Sequence, residues 1–406
     1  MTSQVLCQIS AIAILATFSV TAQSQLTNSA AIDGYLEQAV SMTKIPGVVA
    51  LVIDNENVLY SAAVGKQNVT AEIPMSMGTL FNIASMTKPV AATAIMMLVE
   101  EGKLDLDDPI SKYVPEFGGK TVISTFKDED GAYTTQPARQ EITIRNLMSH
   151  SSGLAYGFAS TTVFRLNGGN AFADNADLPL LYDPGTAWSY ASGISVVANV
   201  LETITGQSLD VFLAERIFEP LGMIDTTYVV PPSKIGRVTT IHSMTEQGLV
   251  ESPVPNEVRS NVSGDHGLYS TAPDYAKFIQ LFLNNGFAPD GARLLEEETI
   301  RIMGENQLGD VRVSLQDEPT PSIARAFPLG AGRDGFGVGF QVTGPHKDPK
   351  IRSPGSMSWA GLYNTEFWID RKAGFGAVLL MQYLPFYDED AIATLSGFEQ
   401  RVYEGR

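Results

Sequence analysis

The residues best suited to chemistry in this chain are a serine and a lysine three positions apart, Ser85 and Lys88. Apolar residues recur at helical spacing after them, so the pattern predicts that a helix begins here. Residues i and i+3 share one face of a helix, and the two side chains can therefore project toward one point. A helix start also offers unpaired backbone N–H groups and a positive dipole end, which stabilise a developing negative charge. This combination is suited to a serine nucleophile with an amine beside it.

A serine and a lysine at this spacing also occur by chance, because only two positions of the pattern are fixed. Two later stretches give the pattern a context. Residues 184–192 (PGTAWSYAS) predict a turn that leads an aromatic cluster into a helix, and residues 355–362 (GSMSWAGL) predict a strand with small residues at its middle. The interpretation of Ser85 and Lys88 as functional residues depends on all three stretches occurring in this order. A purely structural role for the protein would not explain why these residues are present.

The composition allows a large buried core and argues against several classes of partner. The chain has 406 residues, of which 44% are hydrophobic. Its formal net charge of −18 argues against nucleic acid or an anionic membrane as a partner. The four histidines show no metal-ligand spacing and the one cysteine is Cys7, so no metal or other cofactor is expected. We expect a small-molecule substrate, and the composition leaves the oligomeric state open.

The first 22 residues have the character of a targeting segment. They contain no charged side chain, are mostly apolar from Val5 to Val20, and end in Val20-Thr21-Ala22. This pattern is typical of a secretory signal peptide cleaved after Ala22, although it has no Lys or Arg at its start. A retained membrane anchor is the alternative, but the run is short for a spanning helix. We therefore expect a secreted or periplasmic protein with a mature domain over residues 23–406, no stable membrane span and no thiol, since Cys7 would be removed.

The pattern of apolar residues predicts one antiparallel sheet built from both ends of the chain, with a mainly helical part between them. The predicted strands are residues 48–53, 58–64, 336–343, 359–363, 365–369 and 376–383. The predicted helices are about residues 31–42, 85–101, 194–204, 209–217, 275–285 and 388–404.

The sheet parts therefore cover about residues 23–84 and 290–406, and the helical part covers about residues 85–289. Residues 155–181 show little periodicity and are rich in Gly, Asn and Asp, which predicts a loop at the rim of a site. The active site is expected at the seam between the two parts, where ligand clefts commonly form.

The three stretches in this order resemble the serine β-lactamase and penicillin-binding-protein superfamily. Ser85 and Lys88 match its Ser-x-x-Lys motif, Tyr190-Ala191-Ser192 matches its second motif, and the glycine-bearing strand that follows matches its third. The chain is most similar to the class C-like branch, which includes D-aminopeptidases and the family VIII carboxylesterases, over about residues 32–403. Further similar stretches are residues 147–154, 217–223, 267–271 and 367–370. The resemblance implies an α+β fold of the β-lactamase and transpeptidase type.

The resemblance also implies a role for each matching residue. Ser85 would be the nucleophile, Lys88 its activating partner and Tyr190 a second base or proton shuttle. The backbone N–H groups of Ser85 and Leu362 would form the oxyanion hole. The residues expected to contact the substrate are Ser192, Trp359, Ala360 and Gly361. A tyrosine base needs a nearby cation at neutral pH, but burial can equally favour a neutral lysine, so the sequence leaves the identity of the base open.

Two departures from the family pattern bear on the substrate. The usual third motif is Lys-Thr-Gly or His-Thr-Gly, whose cation can hold a substrate carboxylate, whereas this chain has Trp359-Ala360-Gly361, similar to the Trp-Gly-Gly of family VIII esterases. An indole offers an apolar face and one N–H donor but no charge. In addition, Ser192 replaces the usual Asn of the second motif.

We therefore expect an exported carboxylesterase that acts on short or medium acyl esters through an acyl-enzyme on Ser85. One alternative is a class C-like β-lactamase or a D-amino-acid-specific peptidase that acts on amides. A second alternative is a penicillin-binding or sensor protein that is acylated but turns over little substrate.

Overall fold

The computed structural model describes residues 26–127, 131–172 and 177–406. The predicted signal peptide, including Cys7, lies outside these ranges. The helices are α1 (Ser29–Met42), α2 (Thr87–Glu100), α3 (Ile144–Met148), α4 (Thr161–Leu166), α5 (Gly193–Thr205), α6 (Leu209–Leu213), α7 (Glu219–Leu221), α8 (Ala272–Leu283), α9 (Glu297–Gly304) and α10 (Glu389–Glu404). None of the helices in these ranges has the length and apolar character needed to cross a membrane.

The strands are mostly short. They are β1 (Gly47–Asp54), β2 (Val58–Asn68), β3 (Ile73–Pro74), β4 (Phe81–Asn82), β5 (Thr121–Phe126), β6 (Tyr133–Pro137), β7 (Val229–Val230), β8 (Ile241–Thr245), β9 (Gly248–Ser252), β10 (Val258–Arg259), β11 (Tyr269–Ser270), β12 (Gly335–Phe336), β13 (Gln341–Val342), β14 (Met357–Gly361), β15 (Thr365–Asp370), β16 (Phe375–Leu380) and β17 (Tyr383–Leu384).

Eight of these strands form the central sheet, in the order β12-β13-β14-β15-β16-β1-β2-β3. Neighbouring strands in this sheet pair antiparallel. The N-terminal and C-terminal strands meet where β16 pairs with β1. The expected fold class is confirmed: the protein has an α+β fold whose antiparallel sheet is built from both ends of the chain.

Strand β1 shows why the sheet lies between two layers of helices. Val49 and Leu51 point into the larger core, which contains α2 and α8, whereas Val48 and Val52 point into a second core with α1 and α10. Side chains alternate across a strand, so burial on both faces requires a continuous apolar run. The site-bearing helix α2 lies on the α8 side of the sheet.

Residues 336–343 form a tight hairpin, and the expectation of a single strand there is wrong. β12 pairs antiparallel with β13, with Phe336 opposite Gln341. Gly339 lies in the turn with a φ of +82°, a conformation that glycine adopts without steric cost. The glycines at this turn therefore divide one apolar run into two strands.

The segment between the two sheet parts contains helices α2 to α8 and also two β-hairpins. β5 pairs with β6, and β8 pairs with β9. Residues 155–181, which were expected to be a loop, contain the short helix α4 and the 3-10 turn Gly157–Ala159 in their described part. These elements lie beside the seam where the site was expected.

Candidate active site

A cavity of about 400 Å³ lies between the start of α2, the end of β14 and the segment 260–267. The predicted site residues that line it are Ser85, Lys88, Tyr190, Trp359, Ala360 and Leu362. Its volume lies in the range of small-molecule binding sites. The fold thus brings the alcohol, the amine and the phenol of the three motifs to a single cavity.

Ser85 lies in the 3-10 turn Ala84–Met86, which leads directly into α2. Ala84, just before it, has a φ of +42°, which is unfavourable for a residue with a side chain and typical of functional sites. The Ala84 N–H donates to Asn82 Oδ1 at 3.0 Å, and the Tyr275 hydroxyl donates to the Met86 carbonyl at 2.9 Å. These bonds hold the strained turn and present the Ser85 side chain, half-buried, at the cavity wall.

Lys88 extends from α2 beneath the cavity and is only 1% exposed. Its ammonium donates to the main-chain carbonyl of Asp265 at 3.0 Å and to the Tyr156 hydroxyl at 3.2 Å. The Asp265 carboxylate lies 3.4 Å from the same nitrogen. The Lys88 nitrogen also lies 4.8 Å from the centre of the Tyr190 ring. The Lys88 ammonium is therefore buried and has three acceptor groups around it. It is also close enough to Tyr190, the candidate base, for its positive charge to act on the phenol.

Tyr190 has a fixed ring and a free hydroxyl. The residue is 3% exposed, its ring packs 5.1 Å from Trp359, and its main-chain N–H donates to Gln316 Oε1 at 3.0 Å. Its hydroxyl oxygen is buried and has no hydrogen-bond partner among the described residues. A positioned phenol without a protein partner is available to exchange a proton with a reacting group.

Leu362 follows β14 and lies on the cavity wall with Ser85. The Thr365 hydroxyl donates to the Ile83 carbonyl at 3.4 Å and so ties the β14–β15 turn to the segment that carries Ser85. Within the described ranges, neither the Ser85 N–H nor the Leu362 N–H donates to a protein acceptor. The two amides are therefore free to bind an oxyanion, as the resemblance implies.

The residues expected to contact the substrate fall into two groups. Trp359 and Ala360 line the cavity, and the Trp359 indole N–H has no partner in the described part of the chain. Gly361 and Ser192 are not among the lining residues. A side chain at Gly361 would collide with the Thr365 hydroxyl and the Ile83 carbonyl, so this glycine allows β14 to approach the Ser85 turn. Ser192 flanks the start of α5.

The sequence motifs do not include Tyr156 and Asp265, although both contact Lys88. Asp265 is 2% exposed, and Tyr156 is held by its N–H, which donates to the Tyr190 carbonyl at 2.9 Å. The only sequence signal for Asp265 is its place between Gly264 and Gly267 in a stretch of small residues. Tyr156 lies in the segment predicted as a rim loop, which gives no hint of its contact with Lys88.

Burial sets the charge of the other titratable groups around Lys88. Burial, and then the Lys88 charge, lowers the pKa of His150 well below its usual range and also lowers the pKa of His266. Burial, and then the Asp265 charge, raises the pKa of Tyr156 well above its usual range. At neutral pH the two imidazoles and this phenol are uncharged. In the described ranges, no group of three or more His, Cys, Asp or Glu residues is arranged to hold a metal ion.

Aromatic side chains form much of the remaining cavity wall. They are Phe158, Phe172, Phe327, Tyr363 and Phe386. Phe158 stacks on Tyr156, with ring centres 5.0 Å apart, and Phe327 packs on Phe386 at 5.2 Å. This wall is apolar and suited to an uncharged acyl group.

The family profile for beta-lactamase matches residues 32–399 of the chain. An uncharacterized protein of Mycobacterium tuberculosis is 35% identical over 371 residues, which cover 87% of this chain and 90% of that protein. Lovastatin esterase of Penicillium rubens is 28% identical over 400 residues, which cover 91% of this chain and 97% of the esterase. A LovD6 mutant of simvastatin synthase from Aspergillus terreus aligns with a TM-score of 0.78 and 25% identity, and the match covers 92% of this chain and 96% of that one. The chain therefore belongs to the β-lactamase family, and it is a serine hydrolase with esterases among its relatives.

Proposed function

We propose that this protein is a carboxylesterase for uncharged short or medium acyl esters. The observation that carries the proposal is that the Trp359 indole lines the cavity, at the motif position where β-lactamases and peptidases have a cation. Lys88 is the only Lys or Arg among the described residues that line the cavity, and its charge faces Asp265. Such a cavity has no free cation for a substrate carboxylate, whereas its aromatic wall suits an acyl chain. The similarity to lovastatin esterase supports an ester as substrate.

In this proposal the Ser85 oxygen attacks the ester carbonyl and its proton passes to the tyrosinate form of Tyr190, which becomes a neutral phenol. The Ser85 and Leu362 amides stabilise the oxyanion of the tetrahedral intermediate. The intermediate then expels the alcohol, which takes the proton from Tyr190, and an acyl-enzyme remains on Ser85. Water attacks this ester by the same route and releases the carboxylic acid and the free serine. The positive charge of the Lys88 ammonium, 4.8 Å from the centre of the Tyr190 ring, lowers the free energy of the tyrosinate form.

The assignment of the proton acceptor depends on the contacts of the two candidates. The Lys88 nitrogen donates two hydrogen bonds, to Tyr156 and to the Asp265 carbonyl, and forms an ion pair with the Asp265 carboxylate. Tyr190 lines the cavity, and its hydroxyl has no partner among the described residues. These contacts favour Tyr190, in its tyrosinate form, as the group that receives the Ser85 proton.

The test is a steady-state comparison of p-nitrophenyl esters, nitrocefin and D-alanyl p-nitroanilide, with Ser85→Ala as the control. A carboxylesterase has its highest kcat/KM on the esters, and Ser85→Ala abolishes this activity. Preference for nitrocefin or the anilide supports the β-lactamase or peptidase alternative instead. A stoichiometric burst of p-nitrophenol without steady turnover supports a penicillin-binding or sensor protein.

We also propose that the protein is exported, on the basis of the apolar segment that ends at Ala22. The full-length chain and a variant that begins at residue 23 can be expressed in a bacterial host and the cell fractions assayed. If the protein is exported, esterase activity appears outside the cytoplasm for the full-length chain and not for the variant that begins at residue 23. The exported protein then has Gln23 as its N-terminus. The same distribution of activity among the cell fractions for both proteins contradicts export.

A further inference from the structure

We infer that Asp265 is a positioning residue of this active site, which fixes Lys88 as a cation behind Tyr190. Neither the Ser-x-x-Lys motif nor the other two motifs include this residue. The inference rests on the proposed function for the roles of Lys88 and Tyr190. It adds to the three motifs a carboxylate that pairs with Lys88 and lines the same cavity.

Asp265 contacts the Lys88 nitrogen with two different groups. Its main-chain carbonyl accepts at 3.0 Å, and its carboxylate lies at 3.4 Å. Both side chains are almost fully buried, with exposed fractions of 1% for Lys88 and 2% for Asp265. A buried ammonium without a counter-charge is destabilising, so the nearby carboxylate stabilises the ammonium of Lys88.

The position of Asp265 is set by the start of α5. The Ser195 N–H, in the first turn of that helix, donates to Asp265 Oδ1 at 3.2 Å. The Asp265 N–H donates to the Ser263 hydroxyl at 3.1 Å. A side chain at Gly264 would meet Ala198 at 2.8 Å, so this glycine allows the segment to lie against the helix. Because α5 begins just after Tyr190, Asp265 connects the helix that carries Lys88 to the element that carries Tyr190.

Apart from Tyr190, which is the base of the proposed mechanism, the other titratable groups near Lys88 do not provide a negative charge. They are the phenol of Tyr156 and the imidazoles of His150 and His266. Burial keeps Tyr156 protonated and both histidines neutral, as described above. Within the described residues, Asp265 is therefore the one carboxylate in an ion pair with Lys88.

The decisive variant is Asp265→Asn, which keeps the size of the side chain and removes its charge. We expect kcat/KM on a p-nitrophenyl ester to fall by about 10- to 1,000-fold at neutral pH, as for other carboxylates that orient a catalytic group. We also expect the alkaline decline of kcat/KM to begin about one pH unit or more lower, because Lys88 has lost its counter-charge. Asp265→Glu keeps the charge and is expected to retain the wild-type alkaline limb with a smaller loss of rate.

The matched control is Asp274→Asn, at a buried carboxylate that pairs with Lys277 at 3.0 Å away from the cavity. This variant is expected to leave the alkaline limb unchanged. The inference is wrong if Asp265→Asn leaves kcat/KM within about twofold, or lowers it equally at every pH. A shift of the alkaline decline of kcat/KM in Asp265→Glu, which keeps the charge, also contradicts the inference. This second variant provides the test if Asp265→Asn does not fold.

The rate at which a fluorophosphonate labels Ser85, followed by intact-protein mass, gives the same comparison without any ester. If the wild-type protein is labelled but turns over no ester, the proposed esterase function is wrong and the role of Asp265 is unaffected. If the labelling rate declines at the same alkaline pH in wild type and in Asp265→Asn, the role of Asp265 is wrong and the proposed function is unaffected.

Discussion

At the scale of single residues, the candidate site combines packed side chains with polar groups that have no partner in the described part of the chain. These groups are the Tyr190 hydroxyl and the Ser85 and Leu362 amides. The strained φ of Ala84 is maintained by hydrogen bonds from neighbouring elements. Such preorganised groups need little rearrangement when charge develops in the transition state.

The two tyrosines beside Lys88 provide a direct test of the proposed base. Tyr190→Phe removes the free hydroxyl, and we expect kcat on a p-nitrophenyl ester to fall by about 10²- to 10⁴-fold. Tyr156→Phe removes a phenol that stays protonated, accepts from Lys88 and hydrogen-bonds to the Asp265 carboxylate, so we expect a fall of about tenfold or less. Steady-state kinetics on both variants, with thermal unfolding to confirm the fold, provide the measurement. Equal losses in the two variants contradict the assignment of Tyr190.

The sequence shows Ser85, Lys88 and Tyr190 because each occupies a fixed place in a local motif. It does not show Tyr156 or Asp265, since their contacts with Lys88 are made across large sequence separations. Gly361 has a visible motif position, but its packing against Ile83 depends on the tertiary approach of β14. Local pattern therefore predicts the reacting groups better than the residues that position them.

At the scale of elements, the approach of β14 to the Ser85 turn sets the geometry of the proposed oxyanion hole. The hairpin β12–β13 next to β14 was missed because the apolar residues around Gly337 and Gly339 have the appearance of one strand. The two glycines are the turn signal that divides it. The long strands β1 and β2, by contrast, are confirmed as the strands expected from their apolar runs, and they pair as a hairpin.

Gly361→Ala tests this approach. The new methyl group would collide with Thr365 and the Ile83 carbonyl, so β14 must move away from Ser85. We expect kcat/KM to fall by about 10²- to 10³-fold, the cost of a lost oxyanion donor, together with a lower melting temperature. The control is Gly34→Ala, in helix α1 with open space around it, which should stabilise the fold by about 0.5–1 kcal/mol. Normal activity of Gly361→Ala contradicts this account of β14.

Strand β15 carries a second testable group beneath α10. Glu366 is 6% exposed, its Oε1 has no partner among the described residues, and burial raises the pKa of its carboxyl to about 8. The unfolded chain has an ordinary glutamate pKa of about 4.3. Between these two values the native state binds the extra proton, so the free energy of unfolding falls as the pH rises through this window.

Glu366→Gln removes this dependence because it keeps a neutral side chain at every pH. We expect the variant to exceed wild type in free energy of unfolding by roughly 4 kcal/mol at about pH 8 and by about 1 kcal/mol at about pH 5. Urea unfolding at the two pH values measures the difference. A gap that is the same at both, or that favours wild type at the higher pH, shows that Glu366 is ionised in the native state.

At the scale of the whole molecule, one sheet joins the two ends of the chain and the active site lies beside it. Ser85 follows the N-terminal strands and Trp359 lies on a C-terminal strand, so the cavity forms only when both ends have folded together. The formal net charge of −18 gives the molecule a negative field as a whole. We expect this field to favour neutral substrates over anionic ones.

The response to salt tests this charge effect. An ester that carries a carboxylate is repelled, so its kcat/KM should rise a few-fold between about 20 mM and about 500 mM NaCl. A neutral ester of similar size is the control and should change by less than about twofold. Measurement of both series on the same enzyme separates charge from other salt effects. A fall in kcat/KM for the anionic ester points to a cation that recruits it.

The most direct test of the account is the detection of an acyl group on Ser85. Wild-type protein is mixed with a p-nitrophenyl ester, quenched in acid during turnover, and examined by intact-protein and peptide mass spectrometry. The account predicts one added acyl group on the peptide that contains Ser85, and none in Ser85→Ala. An acyl group on another residue, or steady ester turnover by Ser85→Ala, contradicts it.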